Sequence, residues 1–429
     1  MEKRIVEVGE IRKVAVEYRE DVDILEIAKE AGDLYEAVKL FGPENIITKY
    51  LKSDFTNAEE DGLETSDCVR AIAAYMKMNE MNMRDTPTSV SRLEKHFGGI
   101  SLETTIGYRL GSKKLEIYKD SNMKMLEAYI GGKPLEMHYK EVPVQRLYDL
   151  VIMKEKNIEL WPLWTNCEDL YKSILTVGLE NTTIWFYDSR KHKVSLSGTD
   201  IPERMRAFSL FAVIHMYRLG TEDLSRGSFE VDNEHIRILR KKFGLDFAIE
   251  TILGDTDIFT DERDAMKCIS LAQIAGRYLK EPVDAGKLLN GPIYMQVPYD
   301  CIQRRMTNLT KETIEQLWIA LDALYKTSKI VGAPNTKVRY VDDKGNIIET
   351  TANMLPDVIK AFCVEAVIYM YRMSDSEESR RRLGKHLALE APSKIVLGDT
   401  NVVSCGKSMP CVSLLELVER LNNTGKTKK

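Results

Sequence analysis

The chain has 429 residues, of which 44% are hydrophobic and 30% are charged, and its formal net charge is -5 at pH 7. This composition is typical of a globular protein, and the length predicts two to four domains. The acidic balance argues against a generally basic nucleic-acid binder. It leaves room for a local basic groove, because recognition depends on where charge lies rather than on its sum.

The cysteines and the apolar stretches indicate the cellular compartment of the protein. The seven cysteines form no C-x-x-C pair, and the opening Met-Glu-Lys-Arg-Ile-Val-Glu-Val is too charged for a signal peptide. The longest apolar stretch, residues 207–217, is about half of what a bilayer span needs. We therefore expect an intracellular chain, cytoplasmic or packed in a virion, that is not secreted and does not insert into a membrane.

The middle and final thirds of the sequence resemble each other. When residues 170–226 are aligned without gaps on residues 324–380, 19 of 57 positions are identical; composition alone would give about 3. A fainter third copy lies upstream, where Gly42 and Glu44-Asn45 are spaced like Gly178 and Glu180-Asn181. The sequence thus predicts tandem homologous units at residues 1–150 (divergent), 151–305 and 306–421, with a disordered tail at residues 422–429.

Each unit is predicted to contain a helix, a β-hairpin, a long core helix, a loop and a helix. In the second unit, residues 183–187 and 194–196 alternate as strands should, with turn residues between them. Pro202 marks the start of a helix that runs to about Arg218, and its near-continuous apolar face indicates the core of the unit. An amphipathic helix follows at residues 270–279.

The third unit repeats this order. Residues 311–328 have helical spacing, and residues 337–341 and 347–350 form the hairpin. A core helix is expected from Pro356 to about Arg372, and a last helix at residues 413–421. The predicted fold class is α+β and predominantly α-helical.

An acidic strip at residues 255–264 suggests a site for a hard cation. An EF-hand loop needs an oxygen ligand at its fifth position and glycine at its sixth, where Phe259 and Thr260 stand. We therefore interpret Asp255, which recurs as Asp399, as a turn or helix-cap residue, and we predict no metal.

Gly406-Lys407-Ser408 resembles the end of a phosphate-binding loop, and it follows a strand predicted at residues 395–397. The full motif needs a glycine where Asn401 stands. No catalytic triad can be derived from spacing, so no catalytic residue and no cofactor are predicted.

The two clear units share positive charge at fixed positions. A cation near the end of a helix complements its dipole and its unpaired carbonyl groups. Alternatively, repeated cations line a groove between units and bind phosphates at regular spacing. Together with the neighbouring basic clusters, the candidate nucleic-acid-binding residues are Lys172, Arg206, Arg218, Arg226, Arg240, Lys241, Lys242, Arg304, Arg305, Lys326, Lys360, Arg372, Arg380, Arg381 and Arg382.

Two functions remain open. The first is a non-enzymatic binding or assembly protein, because tandem units without a shared catalytic set suit repetitive surfaces. A nucleocapsid-like or coat-like protein that binds nucleic acid, RNA above DNA, and that self-assembles into an oligomer fits this hypothesis. The alternative is an enzyme that acts on a phosphorylated small molecule or nucleotide in a cleft between units, with Asp255 or Asp399 and nearby lysines.

Overall fold

The computed structural model describes residues 2–52, 54–80, 87–107, 121–135, 141–217, 234–254, 270–283, 291–371, 377–398 and 412–423. Most of these residues are helical, and the strands form three small mixed sheets. The predicted α+β, predominantly α-helical class is therefore confirmed.

The three sheets have the same topology. Each consists of a short strand that pairs in parallel with the first strand of an antiparallel hairpin. The hairpins of the second and third sheets lie where the alternation of residues predicts them. In chain order the strands are β1 (Arg4–Glu7), β2 (Ile46–Leu51), β3 (Asn57–Asp61), β4 (Glu141–Pro143), β5 (Thr183–Tyr187), β6 (Lys193–Ser197), β7 (Ile293–Tyr294), β8 (Lys337–Val341) and β9 (Ile347–Thr351).

The helices around each sheet also recur in one order, and we call the elements that accompany one sheet a unit. Each unit has a long helix before the hairpin, a core helix after it, then a basic helix and a last helix. The long helices are Ile24–Phe41, Leu160–Val177 and Lys311–Val331; the core helices are Asp67–Glu80, Glu203–Tyr217 and Asp357–Met370; the basic helices are Pro87–His96, Glu234–Lys242 and Glu377–His386; and the last helices are Asn122–Tyr129, Leu271–Leu279 and Leu414–Asn423.

Shorter helices complete the described chain. Gly9–Ala15 and Gln145–Val151 follow the first strands of units one and two, and Gln296–Pro298 with a π-turn at Tyr299–Gln303 takes this place in unit three. A π-turn at Glu103–Gly107 and the helices Ile249–Leu253 and Ser393–Leu397 follow the basic helices. Short 3-10 turns follow every long helix, at Pro43–Asn45, Leu179–Asn181 and Ala333–Asn335, and precede two core helices, at Gly198–Asp200 and Ala352–Met354.

The shared Gly-x-x-Asn motif ends each long helix. Gly178 and Gly332 both have φ of +89°, a conformation that favours glycine. Three residues later, the side-chain amides of Asn181 and Asn335 each donate to the last carbonyl group of the long helix, at 2.9 Å. In unit one, Asn45 makes the same contact at 2.8 Å. These recurring residues are thus explained by helix termination.

Each of the three units contacts the other two. The three long helices touch one another in pairs, and each last helix packs on the long helix of the next unit, with the third packing on the first. The end of a core helix also meets the next unit's long helix. The hydroxyl of Tyr171 donates to the carbonyl group of Glu80 at 3.1 Å, and Nζ of Lys329 donates to that of His215 at 3.1 Å. One hydrophobic cluster combines the first and third units.

Two sheets combine strands from either side of a predicted unit boundary. β4 pairs with β5 and β7 pairs with β8, so two sheets extend across the predicted boundaries at residues 150 and 305. Strands of two or three residues carry too little alternation to be recognised in a sequence. The division into domains and the common ancestry of the units stay predictions.

Two local predictions need correction. Residues 395–397 are not a strand, because they belong to the helix Ser393–Leu397, which packs on the third core helix. A short apolar run does not distinguish a strand from a buried turn of helix. Residues 422 and 423 end the last helix rather than starting a tail, and the amide of Asn422 donates to the carbonyl group of Met306 at 2.7 Å.

Candidate functional site

The cation shared at the start of each core helix is a structural residue. Nη1 of Arg206 donates to the carbonyl oxygen of Gly244 at 2.8 Å, just beyond the second basic helix. Lys360 reaches the carbonyl oxygen of Ala388 at 3.3 Å, and Arg70 binds the matching end of the first basic helix at 2.8 Å. Burial lowers the pKa of Arg206. These cations bind carbonyl groups at the ends of the basic helices and so stabilise those ends.

Lys172 and Lys326 lie in a central cluster where the long helices meet. Each makes an ion pair one turn back along its own helix, Lys172 with Glu168 at 2.9 Å and Lys326 with Asp322 at 2.8 Å. The hydroxyl of Tyr217 donates to Glu168. Burial raises the pKa of Glu168, but the charge of Lys172 and the Tyr217 hydrogen bond outweigh it, so the pKa lies below its ordinary value. These two lysines are already neutralised by acids.

Lys39 of the first unit completes this cluster. Its ammonium nitrogen lies 5.0 Å from the ring centre of Tyr35, 5.4 Å from that of Trp318 and 5.7 Å from that of Tyr371. It also pairs with Glu36 at 2.6 Å. Rings from units one and three therefore surround a cation that belongs to the chain itself. We interpret this arrangement as a contact between the two units rather than as a site for a ligand.

Three further candidates hold elements of the fold together. Nζ of Lys242 donates to Oδ1 of Asn79 in the first unit at 2.7 Å. Arg304 contacts Asp300 at 2.6 Å and the hairpin turn of unit three, and Arg305 donates to the carbonyl group of Leu421 in the last helix. These contacts bridge separate segments of the chain.

Arg380 belongs to a buried triad in unit three. Its Nε and Nη2 donate to the carboxylate of Glu365 at 2.8 and 3.0 Å, and Oγ of Ser393 donates to Oε1 at 2.6 Å. Glu365 is 0% and Arg380 2% exposed. When the second and third basic helices are aligned on the turns that close them, Arg380 takes the position of Ile236. The alignment with Arg226 does not hold for this helix, and Arg380 is not available to an external phosphate.

The exposed cations that recur by position lie at the ends of the basic helices. Each helix closes with the same turn, in which a residue of positive φ donates its N–H to the carbonyl group three residues earlier, in Lys95 (3.0 Å), Lys241 (3.0 Å) and Lys385 (3.1 Å). All three lysines are exposed. In the described part of the chain, none of the three side chains makes a hydrogen bond or an ion pair.

We call these three lysines the lysine triplet, and some residues of the predicted set belong to it or lie in the same helices. Lys241 belongs to the triplet, Arg240 lies beside it in the same helix, and Arg381 and Arg382 lie in the third basic helix. The carbonyl oxygen of Asp246 accepts from Arg240 at 2.9 Å. Lys95 and Lys385 are not among the residues predicted from the sequence, because the loop before the third basic helix is shorter and an ungapped alignment loses register there.

Several predicted features lie outside the described residues. They are Arg218, Arg226, Arg372, the acidic strip at residues 255–264, Asp399, and Gly406-Lys407-Ser408. Among the residues that the structure does describe, no group of three or more His, Cys, Asp or Glu side chains is placed to hold a metal ion.

Comparison with known proteins gives no relative. No protein-family model matches the chain, and no curated protein or solved structure is significantly similar to it. Within the described ranges, no helix combines the length and the apolar character needed to cross a membrane.

Proposed function

We propose that the chain is a non-enzymatic nucleic-acid-binding protein of the coat or nucleocapsid type, intracellular and self-associating, and that the lysine triplet supplies its repeated phosphate contacts. The observation that supports this proposal is the recurrence, at one position of three equivalent helices, of an exposed lysine that pairs with no group in the described residues. A polyanion with regularly spaced phosphates can contact such a set at several points at once.

Further cations lie in the same helices as the triplet. Arg240 and Lys241 lie in the last turn of the second basic helix, and Arg381, Arg382 and Lys385 lie in the third. Arg206 and Lys360, at the start of the core helices, are bound to carbonyl groups of the fold, as is Arg240. We therefore propose phosphate contacts at the ends of the basic helices. The sequence predicts some of them at the start of the core helices instead.

The test is binding of a fluorescent single-stranded RNA as a function of salt. Replacing one phosphate-binding lysine lowers the slope of log K against log salt by about 0.7 on a single strand, so Lys95→Gln/Lys241→Gln/Lys385→Gln should lower it by about 2. A lysine near a helix C-terminus also contributes roughly 0.3–1 kcal/mol to the helix. Thermal unfolding is therefore measured beside binding.

A matched control changes the same charge elsewhere. Lys52, Lys191 and Lys344 are exposed in the hairpin loops of the three units. Their replacement by glutamine should leave the salt slope unchanged. Wild-type protein that binds neither RNA nor DNA at low salt, or a triplet variant that binds with the control's slope, would refute the proposal. Binding of duplex DNA, measured in parallel, shows whether contacts with the phosphate backbone alone are sufficient for binding.

A further inference from the structure

The last strand of each hairpin is an open edge of its sheet. The strand orders β1-β2-β3, β4-β5-β6 and β7-β8-β9 leave β3, β6 and β9 with a neighbouring strand on one side only. An open edge presents unpaired backbone N–H and C=O groups, which can pair with the backbone of another chain. Whether another chain pairs there depends on the side chains, and these differ between the three strands.

The hydrogen bonds of the third hairpin determine which backbone groups of β9 point outward. The N–H of Asp342 donates to the carbonyl group of Asn346 at 3.0 Å, where the hairpin turns. Because hydrogen-bonded pairs alternate along an antiparallel ladder, the backbone groups of Ile347, Glu349 and Thr351 point away from β8. Within the described residues, these outward groups make no hydrogen bond.

The side chains of β9 favour pairing more than those of the other two edges. Its sequence, Ile-Ile-Glu-Thr-Thr, consists of β-branched residues around one charge, and the first of them, Ile347, is 60% exposed. In β3, by contrast, Glu59, Glu60 and Asp61 follow one another, and charges on an edge strand oppose pairing. The exposed side chains of β6 are a lysine and two serines.

One register of β9 against a second β9 avoids a conflict of charges. In an antiparallel pair centred on Glu349, the two Glu349 side chains would lie directly opposite each other, and like charges at such positions are destabilising. A pair centred on Ile348 instead places the two Ile348 side chains opposite each other and makes the two Ile347 side chains diagonal neighbours. Glu349 then lies opposite an isoleucine, and Arg339 of its own chain pairs with it at 3.4 Å.

We propose that two copies of this chain form a dimer through β9, antiparallel and centred on Ile348, so that two three-stranded sheets become one sheet of six strands. This inference rests on the self-association in the proposed function, and it names the surface and the partner. Because the same strand contributes from both copies, the contact is isologous and closes as a dimer. Backbone hydrogen bonds join the copies, and the isoleucine pairs bury apolar surface between them.

The test is sedimentation velocity of the full-length chain, without RNA, over a range of protein concentrations. The wild type should convert from monomer to dimer as the concentration rises. Glu349→Pro removes an N–H group that lies outside the hairpin ladder, so the hairpin is kept while each copy loses one hydrogen bond of the dimer. The loss of these two bonds should raise the Kd of the dimer about thirtyfold or more, with an unchanged circular dichroism spectrum.

A matched control places proline at the equivalent position of the first sheet. Glu59 lies opposite Lys49 as Glu349 lies opposite Arg339. Glu59→Pro removes the same charge, and it should dimerise as the wild type does. A second variant, Ile347→Lys, leaves the backbone intact but brings two positive charges together across the twofold axis, so it should also weaken the dimer.

The outcomes separate this inference from the proposed function. A wild type that stays monomeric up to its solubility limit would overturn the inference, as would a folded Glu349→Pro or Ile347→Lys variant with the wild-type Kd. Loss of the dimer in Glu59→Pro would overturn it too, because β3 would then be the paired edge. A dimer that is lost in Glu349→Pro and that binds neither RNA nor DNA refutes the proposed function and supports this inference. RNA binding by a monomeric chain, with the salt dependence expected of the lysine triplet, does the reverse for the nucleic-acid surface.

Discussion

The buried triad of Glu365, Arg380 and Ser393 allows a quantitative test of how strongly its members depend on one another for the stability of unit three. At the same positions unit two has Phe211, Ile236 and Ile249, which are also buried. Removing one partner of a buried ion pair leaves an uncompensated charge, and this costs about 3–5 kcal/mol. We therefore expect Glu365→Leu and Arg380→Met each to lower the free energy of unfolding by about that amount.

The triple variant should behave differently. Glu365→Leu/Arg380→Met/Ser393→Ala removes both charges and the serine hydroxyl that bonds to them, so no unpaired polar group of the triad remains buried. Replacement of a buried ion pair by apolar residues of similar volume is often neutral or stabilising by about 1–4 kcal/mol. The triple variant should consequently be far more stable than the sum of the single changes predicts.

Urea unfolding of the wild type, the single variants and the triple variant measures this coupling, with the slope against urea compared to detect a change in the folded or unfolded state. The control is the surface pair Lys193 and Glu141, 3.3 Å apart and about half exposed, where coupling should not exceed about 1 kcal/mol. Additive effects at the triad, or coupling as small as that of the control, would refute the reasoning.

Two further predictions concern the central cluster and the helix ends. Because Lys172 and the Tyr217 hydroxyl hold the pKa of Glu168 below its ordinary value despite burial, Glu168→Gln should cost stability above pH of about 4.3, and the difference should shrink as the pH falls through the native pKa. Urea unfolding of the wild type and of Glu168→Gln at several pH values checks this. Gly332 has φ of +89° and ψ of 149°, a region that is almost restricted to glycine, so Gly332→Ala should lower stability by about 1–3 kcal/mol. Gly384→Ala, within the third basic helix, should instead be neutral or stabilising by up to about 1 kcal/mol; an equal loss of stability in both variants would contradict the conformational argument.

Local chemistry made the hairpins and helix starts predictable. Asp342 opens the hairpin turn of unit three, and its carboxylate accepts from the N–H groups of Lys344 and Asn346 at 2.8 and 2.9 Å. Pro356 precedes the third core helix, as its missing N–H suggests. Such signals depend on a few neighbouring residues and can be read without tertiary structure.

The candidate site depended on contacts that no local pattern contains. Arg206 looks like a free cation in the sequence, yet it caps a helix that ends 36 residues later with Lys242. Lys385 looks like one charge among many, and only the shared end of the basic helices shows that it corresponds to Lys95 and Lys241. Packing between residues that are far apart in the sequence decides whether a cation binds a group of the fold or stays exposed.

The packing of the last helix on the first long helix has a consequence for biosynthesis. Leu417, Val418 and Leu421 are fully buried, and the helix that carries them contacts Ile24–Phe41, which leaves the ribosome almost four hundred residues earlier. Until residues 414–423 have been synthesised, the part of Ile24–Phe41 that they cover stays open to water. Chaperone engagement of residues 24–41 is therefore expected to continue until residues 414–423 have emerged from the ribosome.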